Sequence, residues 1–76
     1  MKTIAAVIEY DPETKMYGAT SPDLDNVFAV SDSRDDVLAR FTYSANEYLA
    51  YLQELHKPLP PLSTRVEFVQ IPISAV

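Results

Sequence analysis

A chain of 76 residues, 47% apolar and 22% charged, has room for one modest core, because a chain this short hides only about 60% of its unfolded surface on folding; its composition is far from that of disordered segments. It contains no cysteine, which excludes a disulfide framework and a thiolate metal site. Its net charge is −5, and its six cations, Lys2, Lys15, Arg34, Arg40, Lys57 and Arg65, are scattered along the chain. That pattern argues against direct binding of DNA or RNA and favours a basic partner.

No stretch approaches the roughly 18 apolar residues of a membrane span. The apolar run before Glu9 is also too short for the roughly 7–15-residue centre of a signal peptide. The expected location is the cytoplasm, without membrane attachment.

Residues 3–10 are rich in β-branched side chains and alternate, with Ile4, Ala6, Ile8 and Tyr10 on one face. This predicts a first strand. Asp11, Pro12, Glu13, Thr14 and Lys15 are turn-forming, and residues 16–20 predict the returning strand of a hairpin. Gly18, the one glycine of the chain, is expected to mark a bulge or a close backbone approach. Residues 21–26 read as a loop and residues 27–30 as a third strand.

A helix start is signalled by Ser33 three residues before Asp36, a capping box with Asp in place of the usual Glu. Val37, Leu38, Phe41, Ala45, Tyr48, Leu49, Leu52 and Leu55 then recur at three- and four-residue steps, which predicts one apolar stripe on a helix running to about His56. Pro58, Pro60 and Pro61 end it. Residues 63–71 again alternate and predict a fourth strand, with Pro72 confining its end to an edge or an exit.

The expected fold is α+β, a single domain over residues 1–76, with an antiparallel sheet, one long helix on one face and the order βββαβ. One helix covers one face only, and Ala5 and Val7 oppose Ile4, Ala6 and Ile8. The second face is therefore expected to be buried in a homo-oligomer, with Ala5 and Val7 as self-association residues.

Several short patterns, in order along nearly the whole chain, resemble the HicB family of bacterial antitoxins. They are Tyr10, Asp11, Pro12 and Glu13 after the first strand, Tyr17, Gly18 and Ala19 in the hairpin, and Ser21, Pro22, Asp23 and Leu24 in the loop. Asp32 and Ser33 leading an acidic first helical turn, and Lys57, Pro58, Leu59 and Pro60 after the helix, complete the set. The chain departs from the family where Asp25, Asn26 and Val27 stand in place of Pro-Gly-Cys, and where Ser31 replaces a glycine. The resemblance implies a HicB-like sheet, a reduced RNase H fold, in a module that covers the active site of a small basic HicA-like ribonuclease toxin. Many family members continue into a DNA-binding domain, whereas this sequence ends at Val76, so operator binding by this chain alone is not expected.

Candidate chemistry is sparse, and neither a catalytic residue nor a cofactor is expected. His56, the one histidine, is read as a helix C-terminal residue rather than a general base. Glu9, Asp23 and Asp25 are the carboxylates that a metal-dependent nuclease of RNase H type would use. Asp23 and Asp25 also suit a turn for backbone reasons. On the helix, Tyr43 lies roughly opposite Tyr48, with Tyr51 at the stripe's edge and Glu47 and Glu54 on the outer surface. Asp23, Asp25, Tyr43, Glu47, Tyr51 and Glu54 are the candidate partner-binding residues, although a solvated helix face accounts for the same pattern. The alternatives to a toxin-binding module are a stand-alone oligomeric domain and a weak metal-dependent nuclease.

Overall fold

The computed structural model describes residues 2–74; Met1, Ala75 and Val76 of the expected domain lie outside that range. Three strands, β1 (Val7–Asp11), β2 (Met16–Ser21) and β3 (Leu24–Ser31), precede one helix, α1 (Arg34–Glu54). The strands form an antiparallel meander in the order β1-β2-β3, as the sequence predicts for an α+β chain.

The first turn is closed by the residues expected to close it. Asp11 accepts from the Glu13 backbone N–H at 3.0 Å and from the Thr14 hydroxyl at 3.2 Å, an Asx turn stiffened by Pro12. Lys15 takes the left-handed conformation, with φ 59°, and its N–H returns to the Asp11 carbonyl at 2.8 Å.

The first strand is shorter than predicted. Its last pair is Val7 with Thr20, and β2 then turns at Ser21, so residues 3–6 have no neighbouring strand to pair with. The third strand is longer than predicted. Pro22 and Asp23 alone make the turn, and the register shift between Thr20 and Ser21 takes Asp25, Asn26 and Val27 into β3 as a bulge. Loop-forming composition hid this, because a bulge accepts the same residue types as a loop. Gly18 is not the bulge; it pairs regularly with Glu9 and Val30, and a Cβ placed on it would meet nothing within 4 Å.

The core lies between the sheet and α1. Ala19, Leu24, Val27 and Ala29 meet Val37, Phe41 and Ala45, flanked by Ile4, Ile8, Tyr17, Tyr48, Leu49 and Leu62. Leu52 is buried as well, as the stripe predicts, but Leu38 and Leu55 are only partly covered, at 37% and 44% exposed. Leu55 is the C-cap, and Leu38 lines a groove with Ile4 and Ala6, ahead of β1; α1 rests on β3, less on β2, and scarcely meets β1.

Both helix ends are satisfied locally. Ser33, extended at φ −121° and ψ 132°, accepts from the Asp36 N–H at 3.2 Å, which is the expected N-cap. The reciprocal half of the capping box is absent, because the short Asp36 side chain turns to Ser31 and the Ser33 N–H donates to the Ser31 hydroxyl instead. At the other end, the His56 N–H donates to Gln53 and the Lys57 N–H to Leu52. This is a Schellman closure with His56 in the left-handed position at φ 55°. His56 thus ends the helix through its backbone.

The predicted fourth strand does not pair. Residues 63–71 are exposed and form no strand, and among the described residues no hydrogen bond ties residues 58–74 to the rest. The order of elements is βββα.

Phe41, 2% exposed, is the largest side chain of the buried stripe. Replacing it with Ala should cost roughly 3–5 kcal/mol, enough to unfold a domain holding about 5 kcal/mol. Thermal melting followed by circular dichroism checks this; an unchanged midpoint would place Phe41 outside the core.

Candidate functional site: the outer face of the helix

Because α1 buries the stripe through Val37, Phe41, Ala45 and Leu52, the residues from its edge round to the opposite side face outward. Tyr43, Glu47, Tyr51 and Glu54 are spaced by four, four and three residues, so at 100° per residue they form one line along the helix. Tyr43 is 69% and Tyr51 55% exposed, and Glu47 and Glu54 are exposed. The line covers roughly 16 Å at 1.5 Å per residue. Among the described residues the ion pairs are Arg34 with Asp35 at 3.7 Å and Arg40 with Asp36 at 2.7 Å. Both lie at the start of the helix, leaving Glu47 and Glu54 without a cationic partner.

Tyr43 also borders a shallow groove of about 530 Å³ along β3, where Phe28, Val30, Ala39 and Arg40 make the walls. Phe28 and Val30 belong to the sheet face away from the helix and are 68% and 50% exposed. They extend the aromatic line from α1 onto the open edge of β3. The alternation of β3 could have revealed them, since Val27 and Ala29 take the buried positions between them.

The other sequence-predicted residues stand apart from this line. Asp23 sits in the β2–β3 turn, its N–H donating to Ser21 Oγ at 3.2 Å, while one carboxylate oxygen is shut away from solvent without a donor among the described residues. Asp25 is exposed two residues on, in the bulge. Val7 is half-buried in a row with Thr20 and Phe28, on the sheet face away from α1. Ala5 is half-buried ahead of β1, beside residues 62–66. Glu9 pairs with Gly18 in mid-strand. Among the described residues no three His, Asp or Glu stand close enough together to hold a metal ion, so Glu9, Asp23 and Asp25 do not converge.

The first turn of α1 is held by one carboxylate. Asp36 Oδ2 accepts from the Ser31 hydroxyl at 2.6 Å and from Arg40 Nε at 2.7 Å. The Ser31 bond holds the Asp36 carboxyl below its ordinary range; partial desolvation opposes this and Arg40 reinforces it. Since Ser31 is buried at the end of β3, this cluster pins the helix start to the sheet and so fixes where Tyr43 and Glu47 project.

No protein-family model, curated protein or solved structure matches this chain. No helix among the described residues is long and apolar enough to cross a membrane.

A carboxyl depressed in the folded state adds stability that is complete above its unfolded value, about pH 4, and is lost as the pH falls through the folded value. Ser31→Ala should therefore flatten the acid limb of stability below about pH 4 and leave the neutral-pH slope unchanged. Urea titrations across pH 2.5–7 on both proteins test it, and parallel acid limbs would contradict the assignment.

Proposed function

We propose that this chain is an antitoxin-like protein-binding module of the cytoplasm that sequesters a small basic ribonuclease of HicA type. The observation that carries the reading is the line of Tyr43, Glu47, Tyr51 and Glu54 on the outer face of α1, with its carboxylates free of cations. Tyrosine supplies rigid contact area that tolerates both water and a partner. Carboxylates at intervals of a helical turn are complementary to the Lys and Arg that an RNA-cleaving enzyme uses to hold phosphates. Asp25 and the neighbouring Asp23 add acidic contacts from the β2–β3 turn. The HicB-like resemblance of the turn and loop motifs supports the same reading.

In this role the module acts by occlusion. It carries no reaction of its own, requires no cofactor and leaves nucleic acid to its partner. Its net charge of −5 steers a basic enzyme toward it over about a Debye length, roughly 10 Å at 0.1 M salt.

A second reading is a stand-alone homo-oligomeric domain. It is favoured by the apolar sheet face of Val7, Phe28 and Val30, which α1 leaves uncovered.

The test uses the purified chain and the small basic protein encoded beside it. Association should slow steeply as salt rises, and ribonuclease activity should fall to background at one equivalent. Glu47→Lys should lower the association rate several-fold, and Tyr43→Ala should weaken binding by about 1–2 kcal/mol. The chain alone should not shift DNA or RNA in a gel. Unchanged ribonuclease activity with excess chain, or tight salt-sensitive binding of an operator fragment by the chain itself, would overturn the reading.

A further inference from the structure

We infer that residues 66–73 are an exchanged strand, which adds to the β1 edge of a second copy of this chain and fills the groove between α1 and the stretch leading into that copy's β1. The inference does not depend on the toxin reading. It specifies how the chain meets itself.

The segment is built as a strand and has none to join. Val66, Phe68, Val69, Ile71 and Ile73 are 39–77% exposed, and β-branched and aromatic residues of this kind suit a pleated, half-buried position. Residues 68–74 carry no charge. An acidic copy can therefore take up this part of another acidic copy without bringing like charges together.

The sheet has a matching vacancy. In the order β1-β2-β3 the outer side of β1 is an open edge, whose unpaired N–H and C=O groups are a template for a further strand. Beside it a groove of about 520 Å³ runs between α1 and the stretch leading into β1, lined by Ile4, Ala6, Leu38, Phe41, Ala45 and Leu49 among others. It exists because α1 rests on β3 and β2 and scarcely meets β1. The chain's own Leu59 and Leu62 close one end of it, and a strand laid along β1 and continued beside residues 4–6 would send alternate side chains into the rest.

The chain's own segment approaches this place and then leaves it. Residues 59–63 pass Lys2 and Thr3, and residues 62–66 pass residues 3–5, so the two stretches run in the same direction. Pro58, Pro60 and Pro61 stiffen the approach. Beyond Val66 the side chains of Phe68, Val69, Ile71 and Ile73 are 66–77% exposed, and the molecule reaches 49 Å along one axis against 25 and 21 Å along the others. Eight extended residues span roughly 26 Å, enough to cross to a neighbour and run the length of its β1.

Each copy thus offers one strand and one edge. Reciprocal exchange about a two-fold axis satisfies both and closes at two copies. Pro72 lacks an N–H, so the new edge is a poor template for a third copy.

The full chain should sediment as a dimer of twice 8.5 kDa at micromolar concentration. In a dimer mixed from isotope-labelled and unlabelled chains, isotope-filtered NMR should show Val69 and Ile71 of one copy near Ile4, Leu38 or Leu49 of the other. Ile71→Lys should shift the dimer to monomer with the helical circular dichroism signal unchanged. A monomer at those concentrations, including one whose own segment closes onto β1, would overturn the inference. So would a dimer whose intermolecular contacts run through Phe28 and Val30, or an Ile71→Lys protein that dimerises as tightly as the parent. Toxin binding is measured separately, so either result stands without the other.

Discussion

The structure turns on a geometric constraint: one amphipathic helix has one apolar stripe, and here that stripe rests on β3 and β2. Val37, Phe41 and Ala45 close over Ala19, Leu24, Val27 and Ala29, which makes a core of small and branched side chains suited to a short chain. What the helix cannot reach stays open. The groove beside the stretch leading into β1 and the uncovered sheet face carrying Phe28 and Val30 follow from that seat of α1.

The same constraint places the electrostatics. With the inner stripe committed to the sheet, the acidic and aromatic residues from its edge round to the opposite side face outward, and the two ion pairs gather at the helix start around Asp35 and Asp36. Ser31, buried at the end of β3, ties Asp36 to the sheet. The N-terminal turn is thus rigidly seated while Glu47 and Glu54 remain uncompensated. A chain of net charge −5 with such a helix is suited to a cationic protein surface and poorly suited to a phosphate backbone.

Much of this was legible in the sequence. Alternation gave the meander, the 3.6-residue period gave the helix, and Ser33 before Asp36 gave its start. Local signals failed where the outcome depended on a neighbour. Leu38 follows the stripe and yet is left 37% exposed, because it borders the groove beside residues 4–6 and not a paired strand. Residues 3–6 and 63–71 have strand composition but lack a partner, and strand composition alone does not supply one. Asp25 and Asn26 read as loop although they belong to a bulged strand. Gly18 reads as a bulge or a close backbone approach, whereas it pairs regularly and a Cβ there would meet open space. On the site, Tyr43, Glu47, Tyr51 and Glu54 were separable from the stripe by angle alone. Phe28 and Val30 share one face of β3 by alternation, but which face of a four-residue apolar run turns away from the helix depends on where α1 sits.

The account's central claim is that the outer face of α1 is where a basic partner sits. Backbone amide shifts of the isotope-labelled chain, recorded with and without the small basic ribonuclease encoded beside it, test this most directly. The account predicts that the largest changes fall on Tyr43, Glu47, Tyr51 and Glu54, with the buried positions Val37, Ala45 and Leu52 little affected. Saturating binding with its changes confined to β1 and residues 64–73, and the outer face of α1 silent, would contradict it.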